Sequence, residues 1–511
     1  MVQIPKAHAL RRARYPKDEA YPREARLNKP FMVPPEGDTC PVNNLPPELL
    51  SRIFELGGTD SHTAFQVENG NDHVLRDVVR IFPEQTNISS NGLAADHDGD
   101  KRRGEHVDQE SFDTASSFRI NVSLVSRNWH NVAISTPSLW TIITGPSLPY
   151  AYSPNTHLPL LLKRSNGLPI DIDLGRGSQP DVYPLLVPHV HRWHSVKAEF
   201  NSYEDTDAFL DAISRPSVPA ASRLTTLQLC FRAVFHILYP LPVQCPTLFC
   251  GSAPYLERLT LWGVHVDWNQ SWISSASNLT YLELRFLLDM VGPSWVQFAT
   301  ILRGAPALKT LKLYAAGPSL ELVDWDITSD AGSGAENPRS PIPLLNLTDF
   351  FIGFRTERYA IWLFRMFYMP SLTSLTFDFR ADDYDGLIEH LAGPPSSLAS
   401  PSPDETPQSL LSKLENLGIV CLPCNRSGIE ILYGKLQNLK SLSIALHHPW
   451  NVLSALFLEL LPCSLPGRDV WLPLLETVYI SQISNDFGLI RDVVQKRKDV
   501  GVPLKSLYLE V

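Results

Sequence analysis

From residue 224 onward one arrangement of apolar positions recurs along the chain, Leu-x-x-Leu-x-Leu. It stands at Leu224-Leu227-Leu229, Leu256-Leu259-Leu261, Leu279-Leu282-Leu284 and Leu308-Leu311-Leu313, then at Leu347-Phe350-Ile352, Leu372-Leu375-Phe377 and Leu414-Leu417-Ile419. Leu439-Leu442-Ile444, Leu475-Val478-Ile480 and Leu504-Leu507-Leu509 complete ten copies, and Trp193-Val196-Ala198 is a weaker first one. Successive starts lie 23 to 42 residues apart, so the period is irregular and insertions account for the long gaps. Apolar residues two apart fall on one face of a strand. Each copy therefore predicts a short strand with alternate side chains turned inward, followed by a helix or irregular segment that returns the chain. One such unit cannot bury its apolar face, whereas a stack of them can. Prolines just upstream of several copies (Pro254, Pro306, Pro370, Pro473, Pro503) favour an extended entry and stop the preceding helix. The expectation is an α/β chain whose residues 146–511 form a curved solenoid, with a parallel sheet on its concave face.

Upstream the periodicity is helical. Pro46 and Pro47 suit a helix start and are followed by Leu49, Leu50, Ile53, Phe54 and Leu56 at the i, i+3, i+4, i+7 spacing of an amphipathic helix. A second apolar stretch runs from Phe118 through Ile120, Val122, Leu124, Val125, Trp129, Val132 and Ile134 to Thr136-Pro137, where the proline ends it. These stretches predict a helical domain over 41–145. The polar segment 58–117 inside it, with twelve acidic and five basic residues, reads as an irregular insert. Residues 1–40 read as a solvated, disordered arm whose basic excess lies between Lys6 and Lys29.

On the predicted strands, residues flanking the inward leucines face outward on the concave side. That sets Arg258, Thr260 and Trp262 in one row, Tyr281, Glu283 and Arg285 in the next, and Thr310, Lys312 and Tyr314 after them, with Phe351, Tyr479 and Tyr508 further on. Aromatic residues and arginine anchor many protein interfaces. Arg258, Trp262, Tyr281, Arg285, Lys312, Tyr314 and Tyr479 are therefore candidate target contacts, with cross-strand pairing as the plainer role for the aromatic ones.

The segment Leu45-Pro46-Pro47-Glu48-Leu49-Leu50-Ser51-Arg52-Ile53-Phe54, taken with Ser123-Leu124-Val125-Ser126-Arg127-Asn128-Trp129 and the closing Pro137-Ser138-Leu139-Trp140, resembles an F-box. The repeats that follow resemble leucine-rich repeats. Ser126 stands where the family commonly has cysteine, and the 58–117 insert divides a motif that is normally one compact three-helix unit. The resemblance implies the substrate receptor of an SCF-type ubiquitin ligase: an F-box docking on a Skp-type adaptor, through it a cullin-RING complex, and repeats that hold a target protein. It places Leu45, Pro46, Leu49 and Ile53 at the adaptor, by helix-in-groove packing. Val125, Trp129 and Trp140 would close the box's own core. The plainer alternative has Leu49 and Ile53 packed on the repeats, and the chain serving as a repeat scaffold with no ubiquitin role.

Composition narrows the remaining choices. Of 511 residues, 44 are basic and 54 acidic, a net charge of −10 that argues against a surface made for nucleic acid. Seven cysteines, odd in number and scattered, do not form a secreted disulfide framework. The first thirty residues carry charges where a signal peptide needs apolar residues, and no apolar run is long enough to span a membrane. Cytosol or nucleus is the expected compartment, with Asn278 and Asn346 unused as glycosylation sites. No phosphate-binding loop, nucleophile elbow or His-Glu-x-x-His appears, so neither an enzyme nor a cofactor is expected. Cys421-x-x-Cys424 has no second pair at metal spacing and reads as two thiols. Asp96 to Asp100 lacks the glycine and glutamate of a calcium loop, and His189, His191 and His194 receive no role. The last predicted strand ends at the C-terminus with an unpaired edge.

Overall fold

A computed structural model describes residues 45–67, 110–144, 154–175, 180–231, 247–287, 291–319, 341–380, 383–394, 409–445, 451–461, 470–481 and 487–510. The arm at 1–40, the Asp96 to Asp100 stretch and most of the insert lie outside them.

The N-terminal part is a small helical unit. Helix α1 (Pro47–Val67) starts where Pro47 gives up no backbone donor, and the N–H groups of Leu49 and Leu50 donate to the Pro46 carbonyl at 3.0 and 3.1 Å. It runs to Val67, well beyond Gly58, where the sequence pattern placed the start of the insert. Helix α2 (Glu110–Val125) begins inside that expected insert. The second apolar stretch is not one helix: Ser126 turns extended, and its side chain caps α3 (Arg127–Ser135) by accepting from the Trp129 N–H at 3.2 Å. The unit's core is Leu50, Phe54, Val122, Val132, Ala133, Leu139 and Trp140, with Leu45, Phe118 and Trp129 packed on it. Trp129 meets Phe54 with ring centroids 5.1 Å apart. The Trp140 indole donates to the Ala133 carbonyl at 2.8 Å. Gly57 lies against Phe118 so closely that a Cβ would collide with the ring, which lets α1 and α2 cross tightly.

Thirteen strands form one parallel sheet in sequence order. They are β1 (Ile142–Thr144), β2 (Ile170–Leu174), β3 (Trp193–Phe200), β4 (Thr226–Phe231), β5 (Arg258–Trp262), β6 (Tyr281–Arg285) and β7 (Thr310–Tyr314), then β9 (Asp349–Gly353), β11 (Ser374–Asp378), β12 (Asn416–Cys421), β13 (Ser441–Ala445), β14 (Thr477–Ser481) and β15 (Ser506–Glu510). Two short strands, β8 (Ile342–Pro343) and β10 (Phe367–Tyr368), pair apart from it. Every predicted repeat supplies a strand, and the weak copy at Trp193 supplies β3. Two strands of the main sheet, β1 and β2, were not anticipated: Ile170-Asp-Ile-Asp-Leu174 alternates but lacks the repeat's leading leucine, and β1 falls within the segment assigned to the helical domain.

Matched leucines stack through the sheet: Leu227, Leu259, Leu282, Leu311, Phe350, Leu375, Leu417, Leu442, Val478 and Leu507 are in register, and all but the terminal Leu507 are buried. A buried leucine is worth roughly 2 kcal/mol, so this row and its neighbour supply much of the cohesion between repeats. Side chains also stitch the repeats. In Asn278-Leu-Thr280 the amide donates to the Pro254 carbonyl (3.1 Å) and the hydroxyl to the Glu257 carbonyl (3.2 Å). Asn346-Leu-Thr348 does the same to Pro306 (2.9 Å) and Lys309 (3.3 Å). The helical unit grips the N-terminal end of the sheet through Arg119, which donates to the Ile142 carbonyl at 2.7 Å, and through Trp140, whose ring carries the Arg164 guanidinium at 4.4 Å.

Candidate interaction surfaces

The helical unit presents an apolar ridge. Leu49, 53% exposed, Ile53 and Leu56 lie at i, i+4 and i+7 on α1; Ile120, Leu124 (71% exposed) and Val125 are exposed on α2. Of the residues expected at the adaptor, Leu49, Ile53 and Pro46 are exposed, but Leu45 is half-buried against the unit's own core. Of those expected in the core, Trp129 and Trp140 are there and Val125 is not: it is 58% exposed, because α2 ends at Val125 and Ser126 redirects the chain. Leu56, Ile120, Leu124 and Val125 were missed as surface residues. Their periodicity was legible, but two helices joined at a cap turn different faces outward than one continuous helix would.

The second surface is the sheet face away from the helices. The predicted rows are in register: Arg258 beside Tyr281 and Thr310, Thr260 beside Glu283 and Lys312, Trp262 beside Arg285 and Tyr314. Most of the expected anchors are nonetheless buried. Trp262, Arg285, Lys312, Tyr314 and Phe351 are each under 9% exposed, while Arg258 and Tyr281 are half-buried and Tyr479 is exposed.

Two features bury them. The first is a left-handed residue after successive strands: Gly263, Phe286, Ala315 and Phe354 have φ between 46° and 63°. Each N–H donates to the next strand, to the carbonyls of Arg285, Tyr314, Gly353 and Asp378. That conformation costs a non-glycine residue roughly 1 kcal/mol, and here it accompanies a second apolar cluster. Phe286, Ala315 and Phe354 pack with Tyr314, Phe351, Val420 and Ala445, apart from the main core. The second feature is a network of opposed charges. Glu283 accepts from the Tyr281 hydroxyl at 2.6 Å and from Arg285 Nε. Burial acts to raise the Glu283 carboxyl, but Arg285 and Lys312 outweigh it and hold the group below its ordinary range. Burial lowers Lys312, partly offset by Glu283 and Asp349. Asp378, fully buried, is pushed up to about 6 by burial against the pull of Arg380, whose Nε lies 3.4 Å from Oδ1. Cations cap the rings around this network: Arg258 over Tyr281 at 4.0 Å, Arg285 over Trp262 at 5.0 Å, Arg380 over Phe354 at 4.6 Å. Strand alternation predicted which residues face this way, but not the backbone turn that folds extra rings over them.

Other residues singled out in the sequence are structural. Cys421 and Cys424 are buried, and burial pushes the Cys421 thiol up to about 12, so neither is a poised nucleophile. His194 has an acidic partner, Asp171 Oδ1 at 2.9 Å, brought from the preceding strand. Among the described residues no three His, Cys, Asp or Glu side chains converge as a metal site, and no helix is long and apolar enough to cross a membrane.

No protein-family model matches the chain, and no curated protein does. Among solved structures it is similar to the leucine-rich-repeat-containing protein LegL7 from Legionella pneumophila, at 12% identity over 63% of this chain and 95% of that one, with a TM-score of 0.31. The chain's own geometry is that of an α/β repeat protein: thirteen parallel strands in sequence order carrying leucine-rich repeats, with a helical unit at the N-terminal end.

Proposed function

We propose that the protein is the target-recognition subunit of an SCF-type ubiquitin ligase, its helical unit docking on a Skp-type adaptor and its repeats binding a target protein. The observation that carries this reading is the exposed ridge. Leu49 and Ile53 on α1, and Ile120, Leu124 and Val125 on the helix packed against it, are large apolar side chains left exposed, as suits a partner that buries them. The unit's own core, Leu50, Phe54, Val122, Val132, Ala133, Leu139 and Trp140, is built without them. The sequence resemblance names the partner, and helix-in-groove packing supplies the mode. In that assembly the repeat sheet presents a bound protein to the ligase, and this chain performs no chemistry itself.

The test is a pull-down with purified Skp-type adaptor, comparing wild type with a Leu49→Ser, Ile53→Ser variant whose fold is checked by circular dichroism. Binding by wild type and loss in the folded variant are expected. If wild type itself does not bind, the chain is a repeat scaffold with no ubiquitin-ligase role.

A further inference from the structure

The C-terminal third of the sheet's open face differs from the rest. Strands β3 to β7 contribute Lys197, Glu199, Arg258, Glu283, Arg285 and Lys312, whereas β11 to β15 contain two charged residues, Asp378, which is buried, and Glu510. The open-face positions there are small: Thr376, Gly418 and Ser443 follow one another in register, and Ser443 sits opposite Tyr479. Gly418 is required, since a Cβ would stand 2.6 Å from the Thr376 hydroxyl that leans over it. Beside this low floor rise two aromatic rings. Tyr479 and Tyr508 are cross-strand partners, stacked at 4.6 Å with planes 9° apart, and they are 40% and 53% exposed.

Elsewhere on this face the chain caps its rings with its own cations, at Tyr281, Trp262, Tyr314 and Phe354. Among the described residues no cation lies over Tyr479 or Tyr508, and the neighbouring strands offer none. Tyr508 covers one face of Tyr479, and on the other side its strand partner among the described residues is the small Ser443. A guanidinium is planar, weakly hydrated and attracted to the negative face of an aromatic ring. We infer that the Tyr479–Tyr508 pair is the anchor of the target site and takes an arginine side chain from an extended segment of the bound protein. This rests on the reading of the repeat sheet as the target-binding face. It moves the anchor from the charged middle strands, where most of the candidate residues are buried, to the strands whose rings are exposed and uncapped.

The test is selection from a random-sequence peptide display library on immobilised full-length protein. Selected peptides are then synthesised and titrated, with each arginine replaced in turn by citrulline, which keeps the shape and removes the charge. The expected result is arginine-bearing peptides whose affinity falls about tenfold on citrulline replacement and in Tyr479→Ser, Tyr508→Ser, but little in Tyr479→Phe, Tyr508→Phe. Should the serine variant lose its fold by circular dichroism, the citrulline and phenylalanine arms still decide. Binders that ignore the arginine, or that are lost on Arg258→Ala and keep their affinity in the tyrosine variants, overturn the inference and leave the sheet's role as a binding face intact. Failure to select any binder overturns both, while the adaptor pull-down tests the ridge independently.

Discussion

Tyr203 and His265 are joined by a hydrogen bond of 2.7 Å between the phenol oxygen and Nδ1, linking the segment after β3 to the turn after β5. His265 is buried, and burial lowers its pKa to about 4, so the ring is neutral and Nδ1 accepts from the phenol in the Nε2-protonated tautomer. Because the folded value lies below the unfolded one, near 6.5, the unfolded chain takes up the proton first as pH falls. Stability contributed by the neutral ring is complete above pH 6.5 and is lost as pH falls toward 4.

A His265→Gln variant, which can still pair with Tyr203, should therefore be less sensitive to acid. Relative to it, wild type should lose about 1.4 kcal/mol per pH unit between pH 6.5 and 4 in urea unfolding. Parallel curves for the two proteins would show that the ring is solvated or already charged.

The tight crossing of Gly57 and Phe118 gives a local prediction. Gly57→Val should cost the helical unit about 1–3 kcal/mol by overpacking, with little effect on the strands. Hydrogen exchange should quicken over 47–58 and 118–135 and stay unchanged over β5 to β13. Uniform exchange across the chain would mean that the unit and the sheet unfold together.

Leu124 and Val125 are exposed at the end of α2, although the sequence placed Val125 in the core. Val125→Asp should leave the melting temperature within about 2 °C, as expected of a surface change of under ~0.5 kcal/mol. The same variant should weaken adaptor binding at least about tenfold. A large drop in melting temperature would return Val125 to the core.

Arg497 is wholly buried and holds three carbonyls, those of Leu461 (3.3 Å), Trp471 (3.2 Å) and Leu472 (2.9 Å). Burial lowers its pKa. Arg497→Met fills similar space but strands those acceptors, at a cost of about 3 kcal/mol. Calorimetry should show the loss; an unchanged melt would mean that water satisfies the carbonyls as well as the guanidinium does.

Much of this architecture was legible in the leucines, because their spacing fixes both the strand and the face it buries. Register followed from the same positions, so the pairs Arg258–Tyr281 and Glu283–Lys312 could be aligned from the sequence alone. Burial of the open face was not legible. It depends on the left-handed turn at Phe286 and Phe354, a conformation that phenylalanine itself does not signal. The break at Ser126 was readable in principle, since serine is a strong N-cap, but a continuous apolar period on both sides masked it. Asp171 could not be matched to His194 without the unpredicted strand β2.

Strand order has a mechanical consequence. Among the described residues each strand of the main sheet is bonded to the one before it and the one after it in that sheet's sequence order, with the short β8–β10 pair set apart, so these strands can part from one end in turn. Pulled from its two ends, the chain should lengthen in a series of small steps, each releasing one strand and its return segment, at similar forces. The helical unit, tied on through Arg119 and Trp140, should give a step of its own.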